Sequence, residues 1–332
     1  MDAERRALLD FKAAVTADPW GVQASWTPMR DPCNFFGVTC DAGAVTWLRI
    51  NGTGLAGTLT PSLGRFPALE SVLLFGNALT SGVPSSFRAL APMLHKLNLS
   101  WNTLDGEILP FLGAFPWLRL LDLSYIRFAG GIPAALFDTS LRLRYVLLAH
   151  NNLTDPVLPS ITNCSRLVGF NFSYNHLSRE FSDQVCTPPK MNYISVRSNA
   201  LSVDIVGKLT SCGSIDLLDV GSNKFSGAAP FALLGSVNIT YFNVSSNAFN
   251  GEIPSIATCG TKISYLDASD NRLTRPMPEC MVNCRGLRVL DLGVNALAGA
   301  ILGHCVWGIE MLVTFDLAGL ALTIRQPVPI LA

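Results

Sequence analysis

Little in this chain is charged, and what charge it has cancels. Asp, Glu, Lys and Arg make up 14% of its 332 residues, 24 basic against 24 acidic. That balance removes the electrostatic drive toward nucleic acid or acidic membranes as the main partner. Long hydrophobic runs are missing as well. Although 49% of residues are hydrophobic, no run approaches the ~20 residues of a membrane helix. The opening MDAERRALLDFK lacks the apolar stretch and cleavage site of a signal peptide. No C-x-x-C occurs among the nine cysteines and the four histidines are scattered, so no metal site is expected. H-R-D, D-F-G and G-x-S-x-G are all absent, which argues against kinase and hydrolase chemistry. No enzyme activity and no cofactor are expected.

What is present is a repeat. In LRLLDLSYIRFAGGIP (118–133) the leucines fit neither one helix face nor a simple strand. The pattern L-x-x-L-x-L-x-x-N-x-L accounts for them and recurs as LESVLLFGNAL (69–79), LHKLNLSWNTL (94–104), LRYVLLAHNNL (143–153) and LVGFNFSYNHL (167–177). It continues as MNYISVRSNAL (191–201), IDLLDVGSNKF (215–225), ITYFNVSSNAF (239–249), ISYLDASDNRL (263–273) and LRVLDLGVNAL (287–297). A divergent first copy is VTWLRINGTGL (45–55), and a decayed last one is LVTFDLAGLAL (312–322). The asparagine column steps through 53, 77, 102, 126, 151, 175, 199, 223, 247, 271, 295 and 320, eight of its eleven intervals being 24 residues and three 25.

A period of this length means stacked coils. Each L-x-L is a short strand whose leucines point inward, and one copy cannot bury them alone. Asn77, Asn102, Asn151, Asn175, Asn199, Asn223, Asn247, Asn271 and Asn295 are expected to form a buried ladder bonding backbone groups that the turn leaves unpaired. Ile126 is the only interior ladder position without asparagine. It is expected to point inward and make no ladder bond. After the ladder comes L-x-G-x-I-P, as in FNGEIP (249–254), where glycine permits a tight path.

The 24-residue period with this tail resembles the plant-type leucine-rich repeat. ALLDFKAAVTADPWGVQASW (7–26) followed by DPCNFFGVTC (31–40) resembles the plant N-terminal cap, with Phe35 where the cap usually has tryptophan. The pairing is similar to ectodomains of plant receptor-like kinases and receptor-like proteins. The resemblance implies an α/β repeat solenoid, a right-handed superhelix with a parallel sheet on its concave face and a helical cap. It implies a Cys33–Cys40 disulfide, a cell-surface setting and a peptide or protein ligand, another repeat ectodomain among the candidates. Expected boundaries are 1–41 for the cap, 42–301 for the repeats and 302–332 for a degenerate, unfinished end. A secreted inhibitor of a cell-wall hydrolase is the alternative, although polygalacturonase-inhibiting proteins carry a more cysteine-rich cap. A truncated, drifting paralogue is the third reading.

Cys164, Cys212, Cys259 and Cys284 lie three or four residues before their repeats, a register that reads as buried core. Cys280 and Cys305 share a register and are candidates to pair. N-x-S/T sequons stand at Asn51, Asn98, Asn152, Asn163, Asn171, Asn238 and Asn243, and glycans on the outward strand positions among them would cover part of the strand face. GTGLAG (52–57) matches G-x-G-x-x-G. Neither a following helix nor an acidic ribose contact accompanies it, and the repeat register already explains Gly57.

Read down the stack, the position before the ladder carries Trp101, Tyr125, His150 and Tyr174 in successive copies, an expected aromatic stripe on the concave face. Tyr145, Tyr193, Tyr241 and Tyr265 share a second column. Arg197 leads into an acidic zone of Asp219, Asp267, Asp270 and Asp291, suited to a basic partner segment. The L-x-G glycine is replaced by Ser81, Asp155, Arg179, Val203 and Arg275. Each replacement is expected to cost about 1 kcal/mol wherever φ must be positive.

Overall fold

In the computed structural model, the structure describes residues 2–138, 142–157, 159–179, 181, 184–209, 211–254, 262–275, 284–302 and 312–325. They form two compact units, residues 1–176 and 177–332.

The first unit begins with the cap. In the helix Asp2–Ala13, Ala7, Leu8 and Phe11 are buried at the 3- and 4-residue spacing of one helix face. Glu4 accepts the Val45 N–H at 3.0 Å, tying the helix to the first repeat strand. Trp26 is fully buried, stacks on Phe35 at 5.4 Å, and donates its indole N–H to Phe36 O at 3.0 Å. The expected tryptophan at position 35 is therefore replaced by a ring that still fills the stack. Cys33 and Cys40 are disulfide-bonded, with Cα atoms 5.5 Å apart.

Val38–Asp41 pairs antiparallel with Ala44–Arg49, which starts a parallel sheet continued by Ser71–Leu73, Lys96–Asn98, Leu120–Asp122, Tyr145–Leu147 and Gly169–Asn171. Sequence reading expected one strand per repeat, and the structure has two. Ala56–Thr58, Ala78–Ser81, Thr103–Glu107, Arg127–Gly131 and Asn152–Thr154 form a second parallel sheet from the L-x-G segments. Val15–Ala17 closes its edge antiparallel. Between the sheets each coil returns through one turn of helix, as at Pro61–Arg65, Pro110–Ala114 and Ala135–Asp138. Proline opens several of these turns because its fixed φ suits the first helical position.

The second unit repeats this plan. Tyr193–Ser195, Leu217–Asp219, Tyr241–Asn243, Tyr265–Asp267, Val289–Asp291 and Thr314–Asp316 pair in parallel. Ser226–Ala228, Ala248–Gly251, Arg272–Arg275, Ala296–Leu302 and Ala321–Arg325 form the second layer. The last copy, expected to be degenerate from 302 onward, thus still contributes a strand to each sheet. The expected stack of leucine-rich coils is the fold of both units.

The asparagine ladder is present in atomic detail. Asn151 accepts the Phe128 N–H at 2.9 Å and donates to Leu123 O, Leu148 O and Ala149 O. Asn102, Asn175, Asn223, Asn247, Asn271 and Asn295 make the same set. Asn199 accepts the Leu177 N–H, and Asn77 accepts from Thr53 and Leu55. Ile126 is 6% exposed and points inward. The Leu104 N–H, equivalent to the Leu79 and Phe128 donors, therefore has no amide oxygen opposite it.

Two expectations about cysteine are corrected. Cys212 is bonded to Cys186, their Cα atoms 5.1 Å apart, and Cys284 is also disulfide-bonded. Only Cys164 is a free buried thiol among the described residues, and burial pushes it up to about 12. Cys259, Cys280 and Cys305 lie outside the described residues. The worn L-x-G positions divide: Ser81, Asp155 and Arg179 do hold φ of 68°, 71° and 64°. Val203 does not adopt positive φ, so no strain is expected there.

Candidate functional site

The aromatic column of the first unit is built by a turn. At the third strand position, Asn98, Asp122 and Asn171 accept the N–H two residues ahead, at Ser100, Ser124 and Ser173, over 3.0–3.1 Å. Such a side-chain-closed turn bends the chain sharply out of the strand. The residue that follows is left-handed, with φ of 54° at Trp101, 54° at Tyr125 and 55° at Tyr174; His150, whose coil has Leu147 in place of the closing side chain, holds the same conformation at 56°. The stripe therefore sits on the turn just past the strands.

There the four rings form one stack. Centroids are 3.7 Å apart from Trp101 to Tyr125, 4.0 Å to His150 and 4.1 Å to Tyr174, with planes within 13–16°. These gaps are shorter than the ~4.8 Å strand spacing, so the rings have closed on each other. Trp101 remains 57% exposed and Tyr174 is exposed at the other end. Tyr125 covers one indole face. In the preceding turn the same left-handed position is Gly76, with Gly52 before it, and neither offers a side chain to cover the other face. Burial lowers the His150 pKa from its ordinary value.

The tyrosine column is split. Tyr241 and Tyr265 stack at 4.3 Å and 7°. Tyr193 is separated from Tyr241 by Leu217 in register, and Tyr145 stands exposed in the first unit.

The aspartates need correction. Asp219, Asp267 and Asp291 close the same turn as Asn98, accepting the N–H of Gly221, Ser269 and Gly293 at 3.0–3.1 Å. Asp219 is only 8% exposed, with Arg197 Nη1 at 3.9 Å, and burial holds its carboxyl up to about 6. Asp267 is also buried, accepting the Ser269 hydroxyl at 2.7 Å and the Tyr265 hydroxyl at 3.3 Å. Burial likewise raises Asp291, Tyr241 and Tyr265. Asp270 occupies the left-handed position instead. This column is scaffold first: one oxygen of Asp219 and of Asp291 closes its turn, and both oxygens of Asp267 are engaged. The signal was legible: Asn or Asp followed two residues later by Ser or Gly, copy after copy.

Asn243 joins that scaffold and is corrected as a glycan site. It is 1% exposed, its oxygen accepts Ser245 N–H and hydroxyl, and its amide donates to Tyr241. Asn152 and Asn163 are exposed; Asn51, Asn98, Asn171 and Asn238 are half-buried. Asn98 donates to Asp122 and Asn238 accepts from Lys262. Among the described residues no cluster of three His, Cys, Asp or Glu could hold a metal. No described helix is long and apolar enough to cross a membrane.

Comparison with known proteins follows the same line. Residues 1–41 match the Leucine rich repeat N-terminal domain family and residues 93–115 the Leucine Rich Repeat family. Among curated proteins, Protein MALE DISCOVERER 1 of Arabidopsis thaliana is 36% identical over 95 residues, 28% of this chain and 14% of that protein. Among solved structures, the Arabidopsis receptor kinase HAESA in complex with the peptide hormone IDA and the co-receptor SERK1 superposes with a TM-score of 0.85 at 25% identity. It covers 97% of this chain and 54% of that one. PEPR1-AtPEP1 gives 0.84 at 25% identity, covering 97% and 49%. The chain thus spans about half of these solved chains and a small part of its curated relative.

Proposed function

We propose that this chain, which resembles the leucine-rich-repeat ectodomains of plant receptor kinases, is a non-enzymatic recognition module for a peptide ligand at the cell surface. The observation that carries the reading is the Trp101–Tyr125–His150–Tyr174 stack. Four rings aligned on the surface supply contact area with little conformational entropy left to lose. The stack also ends in an indole face beside a glycine backbone, a place for a flat side chain of the ligand to extend it. Ligand-bearing relatives of the same fold support the reading, since HAESA is described with a peptide hormone and a co-receptor. A second repeat ectodomain is the partner to seek once a peptide is bound. Residues 1–41 act as the cap and 42–301 as the recognition array.

The test is a display selection of secreted-peptide libraries on the purified chain, followed by titration of Trp101→Ala and Tyr125→Ala. Loss of a hot-spot aromatic is expected to weaken selected ligands by roughly tenfold or more. Unchanged affinity in both variants would remove the stack from the site.

A further inference from the structure

Two cavities in the surface of the second unit adjoin, and their linings differ in kind. The first, about 260 Å³, lies between the helical turns of two successive coils, Val206–Leu209 and Phe231–Gly235. Val206, Leu209, Pro230 and Leu233 give it an apolar wall. Ser236 is its one polar side chain among the described residues, and that hydroxyl already donates to Gly213 O at 3.3 Å. A peptide main chain entering here would leave its N–H and C=O groups unpaired. A hydrocarbon chain needs no such partners.

The second cavity, about 330 Å³, is polar. Asn192, Asp216 and Thr240 line it as lateral neighbours: Asp216 N–H donates to Asn192 O and Thr240 N–H to Asp216 O, both at 2.8 Å. Two residues earlier in successive coils stand Lys190, Ser214, Asn238 and Lys262. Among the described residues its charges are two lysines against one carboxylate, which leaves one positive charge over. The Asp216 Oδ1 is occupied by the Thr240 hydroxyl at 2.6 Å, and the Lys262 ammonium reaches inward to 3.4 Å from Asn238 Oδ1. The two cavities share a wall. Gly213 and Ser214 are consecutive, one in each lining, and Ser236, bonded to Gly213, also accepts the Asn238 N–H at 3.4 Å. The apolar cavity thus meets the polar one at its two middle coils, with Lys190 one coil to one side and Lys262 one coil to the other, at ~4.8 Å per coil. Val237, at that junction, is 70% exposed.

We propose that the two cavities together bind one single-chain anionic lipid, its hydrocarbon chain in the apolar cavity and its charged head at the junction between Lys190 and Lys262. Sites for small molecules measure roughly 300–1,000 Å³. Each cavity alone falls near the bottom of that range, and the pair lies well inside it. One surplus positive charge suits one negative charge, and the Asn192 amide and Ser214 hydroxyl offer hydrogen bonds to the rest of the head. A fatty carboxylate and the phosphate of a lysophospholipid share this chemistry. The site belongs to the second unit and the ring stack to the first, so neither proposal depends on the other.

Decanoate, decanol, butyrate and lysophosphatidylglycerol are titrated calorimetrically into the full chain, each below its micelle concentration. Asn238 is a sequon asparagine and a glycan on it would fill the polar cavity, so the chain is first freed of N-glycans. Saturable binding of a single lipid is expected, with decanol weaker for want of charge and butyrate, too short for the apolar cavity, not binding. Binding of decanoate alone assigns a carboxylate head, and of lysophosphatidylglycerol alone a phosphate head; either supports the site. Ala232→Trp places a ring in the cavity from an exposed position and should abolish binding. Lys190→Gln with Lys262→Gln should weaken it roughly tenfold, the sum of two exposed charge contacts. Lys224→Gln, outside both linings, should leave affinity unchanged, with thermal melting confirming that each variant is folded. Four results overturn the proposal: neither lipid binds, decanol binds as tightly as decanoate, butyrate does so, or binding is indifferent to Ala232→Trp or to the lysine pair.

Discussion

Replacing Ile126 by asparagine should repair one rung of the ladder, and the effect should appear at a single amide. Every neighbouring rung satisfies the N–H two residues past the previous ladder residue: Asn102 serves Leu79, Asn151 serves Phe128, Asn175 serves Leu153. At position 126 the donor left over is Leu104 N–H. The carbonyls fare better, because Leu99 O still receives Asn102 and Leu123 O still receives Asn151. The cost of the missing asparagine is therefore about one buried unsatisfied donor, roughly 1–3 kcal/mol. Against it stands burial of an isoleucine 6% exposed, worth about 1.5–3 kcal/mol. Those two nearly cancel, so global melting of Ile126→Asn should shift little. Hydrogen exchange is the discriminating assay. In the wild type, Leu104 should exchange faster than Leu79, Phe128 and Leu153; in the variant its protection should rise roughly 5- to 150-fold, the range that 1–3 kcal/mol implies. If Leu104 is already as protected as Leu79, or if the variant leaves it unchanged, the account of the ladder is wrong.

Other outcomes follow from the same geometry. Asp219 carries a pKa raised to about 6 by burial, so its contribution to stability is fully present below the unfolded value near 4 and is lost as pH rises through 6. Asp219→Asn keeps the turn-closing acceptor and should stabilise the fold at pH 7.5 by about 1–3 kcal/mol but hardly at pH 4; urea melts with equal shifts at both pH values would refute this. Asp155→Gly, at φ 71°, should stabilise by about 1 kcal/mol, whereas Val203→Gly should destabilise; thermal melts of the pair give opposite signs or the strain argument fails. Breaking Cys186–Cys212 by double serine substitution opens a 26-residue separation and should cost roughly 3–4 kcal/mol in denaturant unfolding. His150 should titrate below 6.5 by NMR, and a midpoint above that value would contradict its burial between two tyrosines.

The coil itself was legible because period is a one-dimensional signal. Inward leucines and the asparagine column recur whatever the surface does. The second sheet was not legible: three-residue segments such as Ala56–Thr58 contain glycine and read as turn, and only lateral pairing makes them strands. Alternation correctly placed Asp219 and Asn243 on the outward side, yet outward was not exposed, because the turn two residues on folds back over each side chain. The aromatic column was visible as a column. Its left-handed backbone was not, since Trp and Tyr are poor residues for that conformation and nothing local announces it. Cys186 escaped notice because it lies 26 residues from Cys212, outside the repeat register.

The left-handed residue before each ladder position has a consequence for how such a chain can diversify. It lies just past the strand, and where a side chain closes its turn, as at Asn98 and Asp219, that side chain belongs to a different residue. Occupants run from Gly52 and Gly76 through Trp101, Tyr125, His150 and Tyr174, and in the other unit through Ser198, Ser222, Ser246, Asp270 and Val294. All hold the same backbone despite unrelated side chains. One letter per coil can thus be rewritten without renegotiating the backbone, so that the array reads as a line of characters in which only neighbours touch.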